Sequence, residues 1–349
     1  MAHRKVIIAI DAMGGDFSPQ AVIDGAALAL NHEIGFNPKA NLEFLIFGDI
    51  KTVKPLIEKH ETLKKFSHFT HSELKILPED RPSYAVRNYK NTSMGMAVAA
   101  VKDHLAHAVV SSGNTGALMA IAKTCLKTLP GIDRPAIVGL FPTIKSKVVM
   151  LDIGANAICD SNNLVEFAIM GDAFAKVMLG KTSPKVAILN IGSEDIKGHE
   201  TVRCAAQELQ GKKALNFTGY IEADDIVRGN ADVIVTDGFS GNIAIKMAEG
   251  TAYLARNLLD QTFKTNLLSR IGYLFTRKPL KQAFQKIDGR HYNGAMFIGL
   301  NGVVVKSHGG ADSIAFSNAV TCAIKLSREN INNKIINEIS IVQQNLGVS

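Results

Sequence analysis

The chain has 349 residues, of which 46% are hydrophobic and 20% charged, the balance of an ordinary globular protein. At roughly 150 residues per domain, it has room for about two domains or lobes. The net charge is +7, but the stretch from Gln261 to Ile287 carries six cations (Lys264, Arg270, Arg277, Lys278, Lys281 and Lys286) and no acid, so the remainder is near neutral and does not read as a nucleic-acid binder.

The N-terminal residues lead straight into the apolar run Val6–Ile10, too short for a signal sequence, and no run of about 20 apolar residues suited to a membrane span follows anywhere. Strands are expected at Lys5–Ile10, Leu42–Phe47, Ala108–Val110, Ala136–Phe141, Val148–Leu151, Lys185–Asn190, Val233–Thr236 and Met296–Val305. Amphipathic segments alternate with them at Pro19–Leu30, Ser93–His104, Asn162–Leu179, Val202–Gln210 and Asn242–Leu259, and the chain is helical in pattern from Asp312 onward. Apolar strands separated by helices predict an α/β fold, a mainly parallel sheet with helices on both faces. Asn301-Gly302, inside the last strand region, predicts an antiparallel hairpin. No linker divides the chain, so residues 1–349 read as one catalytic unit of one or two lobes.

In open α/β sheets, ligands bind at the carboxyl ends of strands. Five strand ends here carry dense groups of Gly, Asn, Asp, Ser and Thr, and all five are expected at one end of the sheet. At Asp11-Ala12-Met13-Gly14-Gly15-Asp16, two glycines let backbone approach a ligand, with Asp11 and Asp16 as polar partners; a tight turn uses the same residues. At Ser111-Ser112-Gly113-Asn114-Thr115-Gly116, a helix leads out, and its first N–H groups with the Ser112 and Thr115 hydroxyls favour an anion site over simple capping. The third turn is Asp152-Ile153-Gly154-Ala155-Asn156. The fourth runs Asn190-Ile191-Gly192 to Gly198, where Lys197 is expected at a helix start; that hints at an anionic ligand, although a solvated lysine has the same sequence. In the fifth, Asp237-Gly238-Phe239-Ser240-Gly241-Asn242, Ser240 and Asn242 are suited to capping a helix or to donating to an oxyanion.

Several signatures are missing from the sequence. No GxGxxG with a following acidic residue marks a nicotinamide site, and no GxSxG marks a nucleophile elbow. Gly180-Lys181-Thr182 resembles a P-loop end, but Ala175 occupies the first glycine position. His68 with His71, and His104 with His107 on one helix face, lack the further partners of a metal site. The cysteines Cys125, Cys159, Cys204 and Cys322 form no CxxC pair and read as reduced thiols of a cytosolic protein. No metal, cofactor or covalent nucleophile is therefore expected.

Leu267, Leu268, Ile271, Leu274 and Phe275 share one helical face, with Arg270, Arg277 and Lys278 beside them and Pro279 as an expected break. Such a basic amphipathic excursion, residues 264–287, suits an anionic membrane surface or an acidic partner; a core-packed helix pair or a dimer interface has the same periodicity.

The turns together resemble the phosphate:acyl-ACP acyltransferase family of bacterial phospholipid synthesis. The resemblance spans nearly the whole chain, on Asp11–Asp16 (DAMGGD), Ser111–Ala117 (SSGNTGA), Asp133–Ala136 (DRPA), Asp152–Asn156 (DIGAN), Leu189–Gly198 (LNIGSEDIKG), Asp237–Asn242 (DGFSGN) and His308-Gly309 in the KSHGG run. Tyr292-Asn293-Gly294 stands where the family often has Tyr-Gly-Gly, and Ser193 where it often has an acidic residue or Thr. The resemblance implies a fold similar to isopropylmalate dehydrogenases and phosphotransacetylase without nicotinamide. It further implies acyl-ACP and inorganic phosphate as substrates and a cytoplasmic homodimer peripheral to the inner face of the membrane. Its acyl phosphate would pass to an integral-membrane glycerol-3-phosphate acyltransferase.

On that reading phosphate is itself the nucleophile. Lys197 would neutralise phosphate or the oxyanion and Asn242 would donate to the same centre, Gly113, Asn114 and Thr115 would cradle phosphate, and Asp11, Asp237 and His308 would serve the leaving thiol or pantetheine. Gly14, Gly15, Asp16, Ser112, Asp152, Gly154, Asn156, Gly192, Ser240, Gly241 and Gly309 line the same expected site. The alternatives are an acyl-CoA-dependent phosphotransacylase and a non-catalytic acyl-phosphate or ACP-binding regulator.

Overall fold

The computed structural model describes residues 5–36, 41–285 and 289–344. In chain order the elements are β1 (Val6–Asp11), α1 (Gln20–Phe36), β2 (Leu42–Gly48), α2 (Ile50–Ile57), α3 (Glu61–Lys65), β3 (Ser67–His71), α4 (Pro82–Asn88), α5 (Ser93–Lys102), β4 (Ala108–Ser111) and α6 (Thr115–Leu126). They continue with β5 (Ala136–Pro142), β6 (Lys147–Leu151), α7 (Ser161–Leu179), β7 (Lys185–Leu189), α8 (Glu200–Gln210), β8 (Asn216–Ile221) and β9 (Val233–Val235). The last are α9 (Gly238–Lys264), α10 (Leu267–Gln285), β10 (Ala295–Ile298), β11 (Val303–Lys306), α11 (Ser313–Arg328) and α12 (Ile331–Gln344).

One sheet, in the order β3-β2-β1-β4-β11-β10-β5-β6-β9-β7-β8, carries the fold. The expected α/β class holds, and the Asn301-Gly302 region does join an antiparallel pair, β10 and β11. The two edge strands, β3 and β8, escape the apolar pattern because they are polar and only partly covered.

The direction of the strands matters most for function. Strands β1, β2, β3, β4 and β11 are mutually parallel, and β5 shares their direction because β10 is antiparallel to both β11 and β5. The β5–β6 pair is antiparallel, and β9, β7 and β8 then follow β6 in parallel. The carboxyl ends of the two halves therefore lie on opposite edges. The expectation that five turns share one end is corrected by this reversal: the Asp11 and Ser111 turns lie on one edge, the Asp152, Asn190 and Asp237 turns on the other.

Alternating strand residues split the core between the faces. Ile8, Ile10, Val110, Val305, Val138 and Leu151 belong to a large cluster that includes α1, α7, α11 and α12 residues such as Ile23, Phe167, Phe316 and Ile335. Ala9, Val109, Val304, Phe297 and Ile137 face the other way, into a cluster with Met94, Val98, Leu118 and Ile121 of α5 and α6. On that same face, Val148, Met150 and Ile234 meet Ala244 and Ile245 at the start of α9, and Ile153 packs against both clusters.

Several local expectations change. α5 ends at Lys102, so His104 and His107 lie beyond it rather than on one helix face; the His107 Nδ1 accepts the Ile7 N–H at 3.0 Å. α10 continues through Pro279 instead of stopping there. Of the basic segment, Lys286 and Ile287 lie outside the described residues, as do the N-terminal Met1–Arg4 and residues 345–349. No helix among the described residues is long and apolar enough to cross a membrane.

α12 is tied to α7 by Lys176, whose Nζ lies 2.8 Å from both Asp172 and Glu338. Asp172 is 2% exposed, so removing the cation strands two carboxylates together. Lys176→Met is expected to destabilise the fold by about 3 kcal/mol in urea unfolding, with part of that loss recovered by adding Asp172→Asn.

Candidate functional site

The first edge gathers the Asp11, Ser111 and His308 segments. Asp11 ends β1, is buried, and accepts hydrogen bonds from Ser93 Oγ (2.6 Å), Ser111 Oγ (2.7 Å) and the Met13 N–H (3.2 Å). Burial pushes its carboxyl above the usual carboxylate range, and these donors oppose that shift. Ser93 opens α5 and Thr115 opens α6, so two helix N-termini meet this edge.

The glycines here are positions of close approach. A side chain on Gly14 would start 2.6 Å from the Asp11 carboxylate and from the Gly113 nitrogen. Gly15, at φ +100°, leaves room for the Ser112 hydroxyl, which donates to the Gly14 carbonyl at 2.7 Å. The Asp16 N–H donates to the Gly309 carbonyl at 2.9 Å, joining the β1 and β11 loops. Thus Asp11, Gly14, Gly15, Asp16, Ser112, Gly113 and Gly309 are brought together, with the exposed His308 beside them.

Asn114 has a different task from the one expected. Its Oδ1 caps α6 by accepting the Ala117 N–H at 3.0 Å, and its Nδ2 donates to the Pro78 (2.8 Å) and Asp80 (3.0 Å) carbonyls. The side chain is therefore occupied, and what remains for an anion is backbone N–H at the helix start and the exposed Thr115.

The second edge gathers Asp152, Asn156, Asp237, Ser240, Gly241 and Asn242. The Asp152 carboxylate is fully buried: Oδ1 accepts from the Ile137, Gly154 and Ala155 N–H groups at 2.9–3.0 Å, and Oδ2 from the Asn156 backbone N–H and Nδ2 at 2.7 and 2.9 Å. Burial raises its proton affinity against all of these bonds. Gly238 and Gly241 let α9 start directly against Asp152 and Asn156, since a side chain on either would meet them. The cap of α9 is Asp237, which accepts the Ser240 N–H and hydroxyl at 2.8 Å each; of the two uses open to Ser240 and Asn242, capping is not the one they serve. The Asn242 Nδ2 donates to the Ile153 carbonyl at 3.3 Å and occupies the space that a side chain on Gly154 would need.

Lys197 sits in a turn before α8, not inside that helix, and is exposed. Its carbonyl accepts from Asn190 Nδ2 at 3.1 Å, and Gly192 packs against its side chain. This turn follows β7, next to β9, on the second edge.

Asp11 and Asp152 are separated by five strand spacings, about 24 Å, and Lys197 is two strands further. One chain therefore does not bring Lys197 and Asn242 to the Gly113 turn. No group of three or more metal-ligating side chains occurs among the described residues. Burial, then the nearby Asp152, push the Cys159 thiol up to about 11, so it offers no ready thiolate.

Four residues at the first edge were given no role from the sequence. Ser93 is 82 positions from its partner Asp11, and Ser111 and Lys306 end strands whose apolar patterns give no hint of a polar neighbour. Asn293, at the departure from the family's Tyr-Gly-Gly, donates to Ser307 Oγ and the Ala315 carbonyl at 2.7 Å each and accepts the His308 N–H at 2.9 Å, so it sets the His308 turn.

A family model described as fatty acid synthesis protein matches residues 6–334. The chain is 48% identical over 341 residues to a phosphate acyltransferase of Rhodospirillum centenum, covering 97% of this chain and 94% of that protein. It is 44% identical to the phosphate acyltransferase of Wolbachia pipientis wMel, covering 98% and 99% of the two. Among solved structures, a phosphotransacetylase from Streptococcus pyogenes matches with a TM-score of 0.60 and 20% identity, covering 93% and 94% of the chains, a likeness of fold.

The Asp152 acceptors are all filled by N–H donors, so an amide there turns a donor against donors. Asp152→Asn, although isosteric, is expected to destabilise the protein by about 3 kcal/mol, measured by chemical denaturation.

Proposed function

We propose that this chain, which belongs to the phosphate acyltransferase family of fatty acid synthesis proteins, transfers an acyl group from acyl-ACP to inorganic phosphate, giving acyl phosphate and free ACP. The observation that carries the reading is the first edge. There, glycine-lined backbone, buried polar side chains and the N-termini of α5 and α6 converge, with no side-chain nucleophile needed. A phosphate oxygen attacks the thioester carbonyl, a tetrahedral oxyanion forms, and its collapse expels the phosphopantetheine thiolate, which takes up a proton. Positioning two anionic partners and stabilising the developing charge are then the enzyme's tasks.

Gly113, just before the cap Asn114, and Thr115, the first residue of the helix it caps, cradle phosphate in this scheme. Lys197 and Asn242 act on the same centre only when a second copy supplies them, because they lie on the opposite edge. A homodimer with sites shared between copies is the arrangement we propose. Acyl-ACP with phosphate should release free ACP thiol, with acyl phosphate trapped by hydroxylamine, faster than acyl-CoA does; equal or better use of acyl-CoA overturns the ACP assignment. Lys197→Ala should lower turnover by about two orders of magnitude at saturating phosphate. Mixed with a chain inactivated at Gly113, it should regain one intact site per dimer.

The apolar stripe of α10 lies unburied: Leu267, Leu268, Leu274 and Phe275 are 60–81% exposed and Ile271 45%. Within this chain it is not a core-packed helix. With Arg270, Arg277 and Lys278 beside it, we assign it to the surface of an anionic membrane, where acyl phosphate passes to an integral glycerol-3-phosphate acyltransferase. Ile271→Glu should abolish flotation with anionic liposomes while sparing activity in solution; lost activity with flotation intact would move the stripe to ACP or to the second copy.

A further inference from the structure

Lys306 has no role in the scheme above, yet its placement is unusual for a lysine. It ends β11 in register with Ser111 of β4. Two residues earlier, Val304, Val109 and Ala9 pack under α5 and α6. The two-residue period of a strand therefore sets Lys306, Ser111 and Asp11 side by side on that same face, on three neighbouring strands.

The residue is only 8% exposed. Its Nζ donates to the Ser307 carbonyl, and among the described residues no carboxylate comes within the 4 Å of an ion pair. Asp11 and Asp16 attract it from further away. An ammonium has three protons to place, and one buried with so few acceptors is poorly compensated. Burial lowers its pKa to about 8, against the pull of the two aspartates.

Phosphate brings a matching need. A dianion arriving near Asp11 and Asp16 is repelled unless a full positive charge stands there. The start of α6 supplies only partial charge, about half a unit, and the Asn114 amide is occupied with the 77–80 loop. Lys197 is on the far edge of the same chain and reaches this place only from a second copy, so within the chain it leaves the head of α6 without a cation. We infer that Lys306 is the cation that receives inorganic phosphate at the head of α6, completing its unfilled hydrogen bonds on the phosphate oxygens. This rests on the reading that phosphate is the acyl acceptor.

The test compares full-length wild type, Lys306→Met and Lys306→Arg in formation of acyl phosphate as inorganic phosphate is varied. Lys306→Met should raise KM for phosphate about 30-fold with KM for the acyl donor unchanged, and Lys306→Arg should recover most of that loss. In the wild type, KM for phosphate should also climb above about pH 8, as Lys306 loses its proton; the arginine variant should lack that limb. The other titratable groups facing this place are Asp11 of β1, Asp16 in the following loop and His308 two residues along, while Ser111 of β4, Ser93 of α5 and Ala295 of β10 carry no charge there. An unchanged KM for phosphate in a Lys306→Met protein with wild-type circular dichroism overturns the inference. If that variant does not fold, persistence of the alkaline limb in Lys306→Arg overturns it. A wild type that makes no acyl phosphate from phosphate defeats instead the functional reading beneath.

Discussion

The antiparallel pairing of β5 with β6 is the constraint from which the arrangement of this molecule follows. Once the chain reverses there, β9, β7 and β8 pair in parallel with β6, and their carboxyl ends open on the edge opposite to those of β1, β4 and β11. Ligand-binding turns follow strand ends, so one reversal distributes the polar glycine turns over two sites. It also means that the residues best suited to hold an anion and the exposed Lys197 do not meet within one chain.

Each edge is organised around a buried carboxylate, and the two differ in what answers it. Asp152 is saturated by five N–H donors, four of them backbone, and serves to lock the Gly154 turn against the start of α9. Asp11 is met by two hydroxyls and stands one strand away from Ser111 and two from Lys306. Hydroxyls reorient, and a lysine can gain or lose a proton, so the first edge can adjust to a charged ligand, whereas the second is built to stay as it is. This contrast favours the first edge for the proposed phosphate site, while the second fixes helix α9.

The long α9 and the α10 that follows it are the least buried helices of the fold. Gly238 and Gly241 are the buried residues of α9, both in its first turn, and its Met247, Tyr253 and Leu254 are exposed together with the α10 stripe. Apolar surface left this open calls for a covering surface outside the chain. On the proposed function, a membrane under α10 and a second copy against α9 would divide that surface and bring the two edges of different chains into one reaction.

The sequence by itself determined the α/β class, the positions of most buried strands and helices, and the order of polar turns that marks the family. Those signals are local: strand periodicity, Asn-Gly at the β10–β11 connection, and short motifs such as DAMGGD and SSGNTG are written in neighbouring residues. It did not determine direction, because a strand has the same apolar pattern whichever way it runs. Only the tertiary structure decided that the turns occupy two edges. Only it showed that Asn114 is spent on capping and on the 77–80 loop, that Lys197 precedes its helix, and that Ser93 reaches Asp11 across 82 positions. The buried Lys306 belongs with these, since a lysine at the end of a valine run reads as the solvated end of a strand until register sets it beside Ser111, on the face that Asp11 shares.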